Sequence, residues 1–226
     1  MIVLKDVSKD YGPVQAVDAV SLTLPRASTT VVYGPSGGGK TTLLRLIAGL
    51  ERPGAGEIHL DGELASTPAW ILPPPQRAVG FVFQDSALWP HLTVAQNVAF
   101  GLLGQPRADV VRCVEEMLAV MDLTGLERRY PNQLSGGQAR RVAIARTLVV
   151  KPRYLLLDEP LVHLQPVLRM RLLQTIREHV AERAITLIYV SHNIEEAARL
   201  GGRRLKMVGG RLISDAQPEP LTDEKV

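Results

Sequence analysis

The chain has 226 residues, 46% of them apolar, and a formal charge of +3, which is material for one large domain with a full core and too little net charge for a nucleic-acid footprint. Charged residues or glycines break every hydrophobic stretch before the ~20 residues that a membrane-spanning helix needs, and the opening residues carry no secretory pattern. A single cysteine, Cys113, excludes an internal disulfide and suits a reducing compartment.

Residues 1–24 alternate strand and turn without a helical period, which predicts an antiparallel β element beside the core. The β-branched run at 29–33 is nearly continuous in apolar residues, as are 154–157 and 185–190, the pattern of strands buried on both faces. After the first of these comes Gly34-Pro35-Ser36-Gly37-Gly38-Gly39-Lys40-Thr41, followed by Thr42 and a helix carrying Leu43, Leu44, Leu46 and Ile47. Strand, spacing, lysine and hydroxyl together make this a P-loop. Its glycines let backbone amides turn toward one anion and the helix start adds a positive field. Lys40 can then reach β- and γ-phosphates, and Thr41 can ligate Mg2+.

Pro73, Pro74 and Pro75 stiffen the next loop. A strand at 79–83 ends at Gln84. From about residue 85 to 133 the pattern is helical only, with Val110, Val111, Val114, Met117, Leu118 and Met121 on one face. This predicts a helical subdomain, about 85–150, inserted in a core that otherwise spans 1–226. The run Tyr154-Leu155-Leu156-Leu157 ends in Asp158 and Glu159, a strand end where α/β proteins bind ligands. Asp158 suits the metal and Glu159 can polarise a water. Read alone, the pair is as readily a helix N-cap. After Pro166, placed for a first helical turn, Leu168, Leu172, Leu173, Ile176 and Val180 keep a helical period. Arg203, Arg204 and Lys206 read as a solvated strand edge, and 217–226 as a frayed tail. The fold class is α/β, with a P-loop NTPase core on a parallel sheet, an antiparallel β element and the inserted helical subdomain.

Leu134-Ser135-Gly136-Gly137-Gln138, between the P-loop and the acidic strand, resembles the signature of the ABC ATPase family. The resemblance covers nearly the whole chain. It implies that Ser135, Gly136, Gly137 and Gln138 contact the γ-phosphate of ATP held by an opposite subunit, hence a homodimer or a pair of ABC ATPase subunits. It further implies that Tyr11 stacks on adenine, that Gln84 reaches Mg2+ and the attacking water, and that His192 contacts the γ-phosphate. On the residues alone, Tyr11 is equally a strand-end tyrosine. Where such chains carry Asp in the loop after Glu159-Pro160, this one has Gln165, following Val162, His163 and Leu164.

Trp89-Pro90-His91-Leu92-Thr93-Val94 with Asn97, Phe100 and Gly101 resembles the importer ATPases of ion, thiamine, polyamine and molybdate systems. That likeness implies integral-membrane permease subunits, a periplasmic or surface solute-binding protein, and a peripheral place on the cytoplasmic face of the membrane. An extra C-terminal β-domain is expected to be absent after 210–213. The other readings weighed are a soluble ABC ATPase of DNA repair or translation and a nucleotide switch without turnover.

Overall fold

Strands covered on both faces need apolar side chains at every position, and the centre of the computed structural model is built from such runs. The structure describes residues 1–162 and 164–216; His163 and the tail read as frayed, 217–226, lie outside the described residues. In chain order come β1 (Ile2–Tyr11), β2 (Val14–Leu24), β3 (Thr29–Tyr33), α1 (Lys40–Ala48), β4 (Ala55–Leu60), β5 (Glu63–Ser66) and β6 (Val79–Val82). Then follow α2 (Val94–Ala99), α3 (Arg107–Val120), α4 (Gly136–Leu148), β7 (Tyr154–Asp158), α5 (Pro166–Glu182), β8 (Thr186–Ser191), α6 (Ile194–Leu200), β9 (Arg203–Val208) and β10 (Arg211–Ala216).

The larger sheet has the order β10-β9-β3-β8-β7-β6; its pairs are parallel except for β9 with β10. Alternate side chains enter two cores. Leu155, Leu157, Leu187 and Tyr189 join a cluster with the helices α2 to α5, while Tyr154, Leu156, Ile188 and Val190 join one with α1 and the second sheet. That second sheet is antiparallel, in the order β2-β1-β4-β5. It is therefore more than the expected N-terminal element, because β4 and β5 complete it.

Between β6 and β7 every described element is helical. On α3, Val114, Met117 and Leu118 are buried, and so is Met121 just beyond it, but Val111 is 47% exposed. The 100° step per residue carries it to the margin of the apolar face. The basic run 203–206 is not a strand edge. It lies on β9, between β3 and β10. Arg203 donates to Asp215 of β10 through Nε at 2.7 Å and to the Thr23 carbonyl at 2.7 Å, which ties the two sheets together.

Candidate functional site

The loop between β3 and α1 lies pressed against two neighbouring strands. A side chain at Gly39, which caps α1 at φ 96°, would put Cβ 2.0 Å from the Ala16 carbonyl oxygen; at Gly34, Cβ would fall 2.0 Å from that of Met207. Only glycine permits these approaches. Within the loop the Lys40 ammonium is buried and donates to the carbonyls of Gly34 (3.0 Å) and Pro35 (2.8 Å). Burial pushes its pKa down, against the pull of Glu159 and Asp158. The Thr41 hydroxyl donates to Asp158 Oδ1 at 3.0 Å, joining the start of α1 to the end of β7. Burial also pushes the Asp158 carboxyl above its ordinary value, more than the Thr41 bond lowers it.

The far end of α1 is held by a residue that the sequence did not single out. Arg77, 2% exposed, donates to the carbonyls of Leu46, Ile47, Ala65 and Leu72 and to the Ser66 hydroxyl, at 2.7 to 3.3 Å. Burial lowers its pKa to about 10, so it is a cation at neutral pH. It faces the negative end of the helix dipole and fills acceptors that a helix end otherwise leaves open.

At the end of β7 the chain turns sharply. Glu159 takes a left-handed φ of 45°, and its amide donates to the Val190 carbonyl at 3.1 Å. Such a backbone costs a non-glycine residue of order 1–3 kcal/mol and is retained where the surroundings over-determine it. The turn places Glu159 Oε2 3.2 Å from His192 Nδ1, at the end of the neighbouring strand β8. On the other side, α4 holds the segment after β6. Arg140 donates to the Phe83 carbonyl at 3.0 Å and Arg146 to that of Ala87 at 2.9 Å, so the backbone on both sides of Gln84 is anchored.

A cleft of about 400 Å³ runs along these strand ends, lined by Tyr11, Val14, Ala16, residues 36–42, Gln84 and Glu159. Tyr11 is 45% exposed and its hydroxyl donates to Glu51. The structure therefore brings together Tyr11, Ser36, Gly37, Gly38, Gly39, Lys40, Thr41, Thr42, Gln84 and Glu159. Gly34 and Pro35 join through Lys40, Asp158 through Thr41 and His192 through Glu159. Val14 and Ala16 were missed; the signal was the hairpin, whose register sets Val14 opposite Tyr11. Residues 135–138 do not line this cleft. They open α4, where the Ser135 hydroxyl accepts the Gln138 amide at 3.2 Å and the Gln138 side chain accepts the Ser135 amide at 2.9 Å, a capping box. A Cβ at Gly136 would meet open space.

Residues 17–162 match the family model described as ABC transporter. The chain belongs to the ABC transporter family. It is 42% identical over 220 residues to the Fe(3+) ions import ATP-binding protein FbpC of Photorhabdus laumondii, covering 96% of this chain and 62% of that protein. With the probable sulfate/thiosulfate import ATP-binding protein CysA of Chlorella vulgaris it shares 41% over 224 residues, 98% of this chain and 93% of that one. The chain thus spans 62% of the length of its FbpC relatives. Among solved structures it resembles a dimeric post-hydrolysis state of an ATP-binding cassette bound to ADP and Pi, with a TM-score of 0.88, 30% identity, and 98% of this chain and 100% of that one covered. The mixed architecture is that of this ABC cassette: a parallel sheet, an antiparallel sheet and helices. Among the described residues no helix is long and apolar enough to cross a membrane.

Proposed function

We propose that this ABC-family chain is the ATP-hydrolysing subunit of an importer. The observation that carries the reading is the convergence of Thr41 with Asp158 (3.0 Å) and of Glu159 with His192 (3.2 Å) at the end of the sheet where the glycine loop stands. The phosphates of ATP enter the loop, where its amides and the start of α1 receive them. Lys40 exchanges its two carbonyl acceptors for β- and γ-oxygens. Tyr11 offers its ring to the adenine. The Thr41 hydroxyl, the Asp158 carboxylate and the Gln84 amide are hard oxygen donors and suit Mg2+. When bound, that ion neutralises charge developing on the phosphates. Glu159 takes the proton of the attacking water, and His192, held by Glu159, faces the γ-phosphate.

Ser135, Gly136, Gly137 and Gln138 stand outside their own chain's cleft, which supports their use by ATP on a second copy or a paired subunit. Trp89 and Phe100 are 43% and 45% exposed with ring centroids 5.3 Å apart, beside the loop that α4 grips. An exposed aromatic pair suits contact with an apolar partner, here the integral-membrane permease subunits. The chain then sits peripherally on the cytoplasmic face of the membrane, served by a solute-binding protein. The relatives' names divide between a metal cation and oxyanions, so they support import as a class and no particular cargo.

Steady-state hydrolysis and sedimentation of Glu159→Gln test this reading. Turnover should fall by ~100 to 10,000-fold with loss of the general base, ATP binding should persist, and saturating ATP should drive pairing. Near-native turnover would remove Glu159 from its role.

A further inference from the structure

A carboxylate is seldom buried without partners, and Glu196 of α6 is 7% exposed. Its partners come from two other elements. Oε2 accepts the hydroxyls of Tyr189 at 2.8 Å and Ser191 at 2.7 Å, both on β8. Oε1 stands 3.5 Å from Arg169 Nε of α5. That contact is an ion pair and not a hydrogen bond, since Arg169 Nε has no acceptor in hydrogen-bonding geometry. Burial, with Glu196 beside it, pushes the Tyr189 hydroxyl well above its ordinary value and keeps it a donor.

Two of these partners lead to the reacting side of the cleft. The Ser191 hydroxyl also accepts the Asn193 amide at 2.9 Å, a turn that fixes the backbone before and after His192. Arg169 Nη2 donates to the Leu164 carbonyl at 3.2 Å, in the loop that follows Glu159. Packing alone does not call for this arrangement, because apolar residues commonly replace a buried ion pair at no loss of stability. What the carboxylate supplies is direction: it gathers two hydroxyls of one strand at one oxygen and the guanidinium of a helix at the other.

We infer that Glu196 is a positioning residue, which through Ser191 and Arg169 holds His192 and the loop after Glu159 in one relative placement so that Glu159 and His192 meet at the cleft. The inference rests on the hydrolytic reading above and extends it to three residues that do not line the cleft.

Glu196→Gln retains an acceptor for the two hydroxyls and loses the charge facing Arg169; Ser191→Ala removes the turn at His192, and Ser191→Thr restores a hydroxyl. For Glu196→Gln and Ser191→Ala, kcat should fall about ten- to a hundredfold, the scale of a misplaced reacting group, with the ATP dissociation constant nearly unchanged. Ser191→Thr should recover most of the rate. A second readout needs no turnover: the His192 ring resonances in NMR should respond to Glu159→Gln in the native background and lose that response in the Glu196→Gln background. Native kcat in both variants, an intact His192 response, or parallel losses of ATP affinity and melting temperature would overturn the inference. If the native chain does not hydrolyse ATP, the hydrolytic reading falls, and the His192 response alone still decides the placement.

Discussion

The glycine loop and the start of the signature helix α4 differ in where their partners are. Loop groups close on one another inside the chain: Lys40 on two carbonyls, Thr41 on Asp158, with Arg77 closing the far end of α1. The start of α4 carries a capping box of Ser135 and Gln138, yet at Gly136 it faces open space and lies off the cleft. A cradle made from one contiguous run and one strand end is complete in a single chain. On the proposed reading, the uncovered start of α4 is completed by ATP held on a second subunit.

Arg77→Met breaks the comparison hardest. It takes the guanidinium donor from the carbonyls of Ile47 and Leu72 and one of two donors from those of Leu46 and Ala65, which keep the amides of Gly49 and Leu72. Denaturant unfolding should show a loss of about 2–4 kcal/mol. Hydrogen exchange should quicken at α1 far more than at α4; equal quickening would mean that the two helices share one support. Lys40→Ala comes next. It removes a charge-assisted contact of about 1.5–3 kcal/mol, so calorimetry should find ATP bound roughly ten- to a hundredfold more weakly, with the capping box at Ser135 untouched. Unchanged affinity would take Lys40 out of the cradle.

The smallest effect is expected at Gln165, which caps α5 at φ −60° and ψ 144° without a side-chain bond to the helix. Aspartate there can accept a first-turn amide, and Gln165→Asp should raise the melting temperature by the equivalent of about 0.5–1 kcal/mol. Gln165→Asn should do nearly the same. Only the charged variant should also tighten ATP-driven pairing, by a few-fold, because charge-assisted contacts are about twice as strong as neutral ones. Equal pairing in both would assign the whole effect to capping.

This asymmetry also governs what was legible. Residues 34–42 and the pair Asp158 and Glu159 could be read because their chemistry is local: a glycine spacing, a lysine, a strand that ends in carboxylates. The two-sheet core was foreshadowed by the unbroken apolar runs at 154–157 and 185–190. Arg77 was hidden because its acceptors at 46, 47, 65, 66 and 72 converge only in the folded chain. Glu196 was hidden for the same reason. The basic residues of β9 were misplaced at an edge because strand order is a property of the sheet and not of the run itself. Val111 was assigned to a buried face whose margin only packing defines.

The central claim is that the cradle of one chain and the signature of another make one site. Gly136→Asp tests it cleanly, since a Cβ there meets open space and a carboxylate suits a helix start while repelling a phosphate. Alone, Gly136→Asp and Lys40→Ala should each hydrolyse ATP poorly. Mixed in equal amounts, half of the pairs hold one intact site, and activity should return to about a quarter of native for a symmetric two-site pair. A mixture no more active than its components, or native turnover by Gly136→Asp alone, would contradict the account.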